Sequence, residues 1–544
     1  MAQTTAGRVN QKSFATIPRA DIPRSVFNRS SGLKTALPAA GILYPIFADE
    51  ALPGDTINIK PTIFGRLATP IYPIMDNVYA DVHFWACPLR LVWNNFQRFM
   101  GEQDNPGDTT DYVVPQLVSA TNGFAALSLM DFMGYPPLAS SGTTSSCSAF
   151  YSRAYNLTWN QWYRSENIQD SVTVDLDDGP DAIADYVLLP RGKRQDYFTS
   201  ALPWPQKGDA VALPLGTTAP LGGNPGAAAV DVTGLYGGSS TSTFARGSTG
   251  ANAEMQFEGS GGAAGDNLRW VNPGINLAAT APGGTAPFAD LSAATAATIN
   301  EMRMAFQMQR LFERDARGGT RYTELLRSHF GVVSPDARLQ RVEYLGGGTI
   351  PISINPVAAT TDISGYVGEL GAFGTFVGGI PRISKSFTEH CVILGLISIR
   401  ADVNYQQGVP RQFLRSTKYD FYWPALAHLG EQEITNQEIY KQGTAADNDV
   451  FGYQERWAEY RYKPSQITGA MRSQNALPLD SWHLAQEFSA LPMLNESFIV
   501  ENPPMSRVLA TTLGGAVAIV DGHFDIKHVR PMPTFSVPGL IDHF

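Results

Sequence analysis

Cysteine is scarce in this chain of 544 residues: Cys87, Cys147 and Cys391 are far apart, and none stands in a C-x-x-C pair. That spacing excludes a disulfide framework and a zinc ribbon and fits a reducing compartment. Long apolar runs are missing too. The strongest spans Cys391 to Ile399, about half of what a membrane-crossing helix needs, so a soluble protein with no membrane partner is expected. The N-terminal MAQTTAGRVNQK lacks the apolar stretch of a secretory signal. Neither G-x-x-x-x-G-K-[ST], G-x-S-x-G nor H-E-x-x-H occurs. Without a phosphate-cradling loop, a hydrolase elbow or a zinc-peptidase helix, the chain reads as a non-enzyme needing no cofactor and no metal.

What is present favours β-structure. Hydrophobic residues make up 43% and charged residues 17%, enough apolar area for a large core, while 51 glycines and 37 prolines suit many turns between short strands. The segment T-I-N-I-K from Thr56 alternates and then meets Pro61, as a strand ending at a sheet edge would. Val78 to Ala86 sets Val78, Ala80, Val82, Phe84 and Ala86 against Tyr79, Asp81, His83 and Trp85. Ile397 to Tyr405 repeats the form. A period of two over eight or nine residues predicts half-buried strands, the walls of a sandwich or barrel.

Helices read as insertions. Asn300 can cap a helix that places Met304, Ala305, Met308, Leu311 and Phe312 on one face and stops at Gly318-Gly319. Thr320 can cap a second, closed by Gly331. The glycines Gly365, Gly368, Gly371 and Gly374 predict a turn-rich loop. Between residues 207 and 297 more than half of the chain is Gly, Ala, Ser or Thr, and its apolar residues follow neither period. So long an excursion marks a surface insertion on a rigid scaffold.

Charge is uneven. Arg8, Lys12, Arg19, Arg24, Arg29 and Lys34 face only Asp21 in residues 1–35, a basic arm of +5 on an otherwise acidic chain whose net charge is −10. From charge alone such an arm reads as a solvated tail. DLDDGPDAIAD, Asp175 to Asp185, has glycine and its final acid out of place for a calcium loop and reads as a solvated acidic turn. His523 and His528 fall on opposite faces of a strand, as packing or surface histidines do. FGYQERWAEYRYKP, residues 451–464, mixes Tyr453, Trp457, Tyr460 and Tyr462 with Arg456 and Arg461. Rings that stack on bases beside cations that meet phosphates suit single-stranded nucleic acid, and the same mixture suits a protein interface.

Five blocks are more specific: RSVFNRSSGLKTALPAAGILYPIFADEALPGDTINI, RLATPIYPIMDNVYADVHFWACPLRLVWNNFQRFMGE, RDARGGTRYTELLRSHFGVVSPDARLQR, FGYQERWAEYRYKPSQITGAMRS and the terminal RPMPTFSVPGLIDHF. Together they resemble the major capsid proteins of small icosahedral single-stranded DNA bacteriophages, the microviruses, in particular the gokushovirus branch. The resemblance covers most of residues 20–205 and 298–544.

It implies a mainly β fold, a viral jelly-roll β-barrel with long loop insertions containing short helices. The chain then divides into a basic arm (1–35), a first jelly-roll part (36–206), a variable surface insertion gathered at the threefold axes (207–297), and the barrel remainder with an extended, apolar C-terminal tail (298–544). It also implies sixty copies in a T=1 shell around circular single-stranded DNA, in a virion assembled in the host bacterial cytoplasm. The partners so implied are further copies of the chain, the genome, a small basic DNA-binding virion protein, a minor pilot-type protein and a bacterial host receptor met through the insertion; Arg8, Lys12, Arg19, Arg24, Arg29 and Lys34 then become candidates for meeting DNA phosphates, unless the arm ties subunits together instead. The competing expectation is a β-sandwich that binds or hydrolyses carbohydrate, but no pair of carboxylates stands out for it.

Overall fold

Over Thr56–Leu67 and Ala518–Arg530 buried and exposed residues alternate almost without a break, so each strand has one face in a core and one in solvent. The computed structural model describes residues 23–137, 142–209, 211, 221–222, 255–258, 267–270, 288–289, 299–333, 340–360, 367–510 and 513–535. It divides into two compact units, Met1–Lys207 with Glu313–Phe544, and Gly208–Phe312. In the second unit, Met255–Glu258 pairs with Asn267–Trp270 and Leu221–Gly222 with Phe288–Ala289, both antiparallel.

The first unit is built on strands β1 (Ser25–Asn28), β2 (Ser31–Leu37), β3 (Tyr44–Ala51), β4 (Thr56–Leu67), β5 (Val78–Pro88), β6 (Glu343–Pro351), β7 (Ser353–Ala358), β8 (Leu370–Gly379), β9 (Ile383–Ser386), β10 (Cys391–Ala401), β11 (Glu431–Thr435), β12 (Val450–Glu455) and β13 (Ala518–Arg530). One sheet runs β1-β13-β4-β8-β7, with β2 also on β13 and β9 also on β4; the other runs β6-β5-β10-β3. Both are antiparallel throughout. The interleaving of β2-β13-β4-β8 opposite β3-β10-β5-β6 is the winding of an eight-stranded jelly roll. Ile57, Ile59 and Ile63 of β4 and Val520 and Phe524 of β13 share one core with Val82 and Phe84 of β5 and Ile393 and Ile397 of β10.

Several expectations change here. Pro61 does not end its strand at an edge, because β4 continues to Leu67 between two partners. On one side of β4, β9 pairs as far as Ile59 and β8 begins at Thr62. The Pro61 carbonyl, which points to that side, accepts from the Ile380 amide of the β8–β9 connection at 3.0 Å. The missing N–H of proline therefore falls at a junction where no ladder bond is due.

Nor is the second sheet half-buried. Every residue of β10 is buried, and it ends at Ala401 rather than at Tyr405. A second core explains this. Trp85, Val392, Leu394 and Leu396, on the outer face, pack beneath helix α1 (Phe150–Trp162) through Ala154, Tyr155 and Trp159. Polar residues that alternation assigned to solvent are satisfied internally instead: Asp81 pairs with Arg191 at 2.6 Å and Arg400 at 2.7 Å, and the Tyr163 hydroxyl bonds His83 at 2.9 Å.

Gly371 and Gly374, expected in a loop, belong to β8; only Gly368 occupies a left-handed turn, and Gly365 lies outside the described residues. A Cβ on Gly374 would stand 2.9 Å from that of Leu67, so packing selects glycine there. The two helices are α2 (Ile299–Gly318) and α3 (Tyr322–Phe330), the latter capped by Arg321 in place of Thr320 and closed by left-handed Gly331. The Met304–Met308–Leu311 stripe of α2 is exposed.

Candidate assembly and nucleic-acid surfaces

The basic arm gives way to sheet at Ser25: β1 and β2 both pair with β13, in registers Ser25↔Arg530 and Ser31↔Phe524. Arg8, Lys12 and Arg19 lie outside the described residues. Arg24 packs over Gly54, where a Cβ would come within 3.3 Å of its Nη2. The Arg29 guanidinium donates to both oxygens of Asp49, at 3.0 and 2.8 Å, while Lys34 reaches Asp521 at 3.3 Å on the open surface. Of these three, Arg29 is committed to its carboxylate, and the Lys34 pair is screened by water.

The acidic segment is a solvated turn only in part, with Asp177 and Asp178 exposed. Asp181 is buried and meets Arg153, whose side chain is also buried, at 2.7 and 2.5 Å. Asp178 accepts from Asn95 at 3.0 Å and from the Trp93 indole at 2.7 Å, bonds that hold its carboxyl below the usual range. The segment fastens the layer around α1 to the barrel. The two histidines of β13 do divide by face, His523 exposed and His528 buried.

Residues 451–464 begin in β12, which pairs with β11. Trp457 is buried and holds a left-handed backbone, φ 71°, unusual for a bulky residue. Its amide donates to Gln432 at 3.2 Å and its indole to the Leu426 carbonyl at 2.9 Å, bonds that fix the conformation. Arg456 lies 4.4 Å over its ring. Tyr453 is partly buried, whereas Tyr460, Arg461 and Tyr462 are exposed. A base therefore has access to Tyr460 and Tyr462 but not to Trp457.

The geometry brings a second segment to the same place. Tyr422 meets Trp457 edge-on at 5.6 Å and lies 6.4 Å from Tyr460; Arg415 stands between Phe421 and Tyr460, at 5.3 and 4.5 Å. Phe413, Tyr419, Phe421, Tyr422 and Trp423 are all exposed. The sequence carried a signal for them, since KYDFYWP packs four rings into five residues. Loops 411–426 and 456–463 thus bring their exposed rings to one aromatic surface, the kind of feature that marks a contact site.

Half of its cations are matched from within. Arg411 pairs with Glu438 at 2.8 Å and Arg415 with Glu459 at 3.7 Å, while Arg461 pairs with Glu455. Below the rings a cavity of about 360 Å³ reaches Tyr197 and Glu438, which share a 3.0 Å hydrogen bond. Burial raises the Glu438 carboxyl, against the opposing pull of Arg411. The free thiols likewise reflect burial: Cys87 and Cys391 are held well above the usual thiol range, Cys391 at about 12.

The family model described as Capsid protein (F protein) matches residues 15–540. Capsid protein VP1 of Bdellovibrio phage phiMH2K is 46% identical over 550 aligned residues, 99% of each chain. That of Chlamydia phage 1 is 39% identical over 98% of each, and that of Spiroplasma virus 4 is 34% identical over 92% of each. A jelly-roll wedge with inserted loops and an aromatic flank agrees with these matches, and the carbohydrate-active expectation falls away. The chain belongs to the Capsid protein (F protein) family, as a structural, non-enzymatic component of a phage virion.

Proposed function

We propose that sixty copies of this chain close into a T=1 icosahedral shell around circular single-stranded DNA, and that the aromatic surface of loops 411–426 and 456–463 is one of the contacts between neighbouring copies. The observation that carries the interface reading is the internal pairing of its cations. Glu438, Glu459 and Glu455 pair with Arg411, Arg415 and Arg461, three of the six cations of the two loops, which leaves less charge to neutralise a phosphate backbone, whereas exposed Tyr, Trp and Phe beside Arg suit a protein contact. Closed symmetry would repeat that contact around the whole shell.

In this reading Arg8, Lys12 and Arg19 meet the genome, with Arg24, Arg29 and Lys34 anchoring the arm to the barrel. Even if every cation of residues 1–35 were counted, sixty arms at +5 would supply at most roughly 300 positive charges, too few for a genome of thousands of phosphates, so a small basic virion protein or free cations share the task. Residues 207–297 carry attachment to the bacterial host receptor, and a minor pilot-type protein completes the particle, assembled in the host cytoplasm.

Electron microscopy of the purified chain, with and without its viral companions, tests the reading. Uniform small icosahedral particles or discrete pentamers support it; a chain that stays solitary under every ionic condition overturns it. Deleting residues 207–297 should leave particles intact and abolish host attachment.

A further inference from the structure

Helix α2 exposes almost all of its surface: of its twenty residues only Ala316 is buried. Its last turn is held in place, since Arg317 pairs with Glu431 at 2.5 Å and Glu455 at 3.5 Å, and Asp315 meets His329 of α3 at 2.6 Å. The turns before it carry a row of cations. At about 100° per residue, Arg303, Arg310 and Arg314 fall within roughly 40° of one another around the helix axis. All three are exposed, and none pairs with a carboxylate among the described residues. Large apolar side chains flank the row, Met302 and Phe306 on one side, Met304, Met308 and Leu311 on the other, each between 40% and 67% exposed. Like charges at this spacing oppose the helix, and apolar groups of this size add nothing to it while they face water. The surface that matches such a face is acidic and partly apolar.

The chain carries a surface of that chemistry. Residues 101–152 contain no Lys or Arg, and the first eleven of them place Glu102, Asp104, Asp108 and Asp111 in one loop. Among the described residues only Asp104 of these four meets a cation, Arg98 at 3.4 Å, and both side chains of that pair stand in water. The Asn105 amide donates to Asp108 at 2.9 Å, a bond that folds the loop back on itself. Met100 and Val113, 51% and 75% exposed, border it. The loop therefore repeats the composition of the helix face with the sign reversed: separated charges of one sign between exposed apolar side chains.

We propose that the arginine row of α2 docks against loop 101–111 of a neighbouring copy, an inference that rests on the self-assembly reading above. The contact is heterologous, a helix of one copy on a loop of the next, so each copy offers one of each surface and the contact can run around a closed ring. Charge sets the direction in which two copies meet, and added salt weakens the contact.

Charge reversal in the full-length chain tests this. Arg303→Glu, Arg310→Glu and Arg314→Glu together, or Glu102→Lys, Asp104→Lys and Asp111→Lys together, should each lower particle yield about tenfold in electron micrographs. Neither set should lower the melting temperature of the unassembled chain, because all six residues are exposed. Both sets in one chain should restore the yield, and a mixture of the two reversed chains should associate more strongly in sedimentation than either chain alone. Normal particles from either reversed set overturn the proposal and leave the shell reading standing. No recovery in the combined chain overturns it too: a lowered melting temperature then shows that acids of the same chain meet the row, and particles short of DNA give the row to the genome. A parent chain that forms no particles overturns the shell reading instead, and sedimentation of the mixture still decides the contact. Should a reversed helix set fail to fold, Arg303→Gln, Arg310→Gln and Arg314→Gln take its place, with the same loss of yield expected and unchanged yield overturning the proposal.

Discussion

Arg153 and Asp181 form an ion pair in which neither side chain has any solvent exposure. Arg153 also donates to the carbonyls of Val92 and Asp177, at 3.0 and 2.9 Å, and Tyr186 donates to Asp181 at 2.7 Å. The pair therefore joins α1, the turn after β5 and the 175–186 segment through one set of bonds. Removing one partner leaves a buried, unmatched charge. Arg153→Met should destabilise the unassembled chain by about 3–5 kcal/mol in denaturant melts, and Arg153→Met with Asp181→Leu should recover much of that loss. A single variant as stable as the parent would show that water reaches the site.

The aromatic surface separates folding from assembly. Phe413 and Tyr419 are 71% and 59% exposed, so Phe413→Ser and Tyr419→Ser should each leave stability within ~0.5 kcal/mol while reducing particle yield in electron micrographs. Trp457→Ala should do the reverse in the first instance, destabilising the fold by ~3–5 kcal/mol before assembly is reached. Normal particles from the two serine variants would place the subunit contact elsewhere.

The jelly roll was legible in the sequence because one of its sheets faces solvent. The period-two pattern of β4 marks that face, and the five quoted blocks carried the family. The second sheet was misread for a physical reason: alternation reports a polar outer face, and Asp81, His83, Ser398 and Arg400 look the same in sequence whether water or an internal ion pair satisfies them. The residues that cover that face, from Phe150 of α1 to Arg191, lie 69 to 110 residues away in sequence from Asp81, too far for local pattern to connect. The same holds at the candidate sites. Residues 451–464 could be picked out by composition, but the loop at 411–426 joins them only through contacts across β11 and β12.

Gly65 shows a constraint of this long-range kind. It faces the core from β4, and a Cβ there would lie 2.0 Å from the Phe376 ring, across the sheet on β8. Its backbone is ordinary strand, so space alone demands glycine. Gly65→Ala should destabilise by at least ~1–3 kcal/mol, the usual cost of overpacking, and Gly65→Ala with Phe376→Leu should regain part of it. Chemical denaturation of the three proteins gives the comparison.

Acid sensitivity follows from two buried imidazoles opposed by buried carboxyls, Glu501 chief among them. His83 and His528 are each pushed down to about 4, in both cases first by burial and then by a neighbouring arginine, Arg191 and Arg530 respectively. Between pH 4 and 6.5 the unfolded chain binds protons that the folded chain refuses. The stability these groups supply is complete above pH 6.5 and is lost as pH falls toward 4. Glu501 acts in the other direction: burial raises it to about 7, so its contribution falls as pH rises from its ordinary value to 7. The unassembled chain should therefore melt at a lower temperature at pH 5 than at pH 7. His83→Gln, which keeps a partner for Tyr163, should shallow that dependence, as should His528→Gln, whereas Glu501→Gln should steepen it by removing the chief opposing group. Melting curves across pH 4.5 to 7 for the four proteins supply the check, and an unchanged slope in His83→Gln would mean that the imidazole protonates in place without cost to the fold.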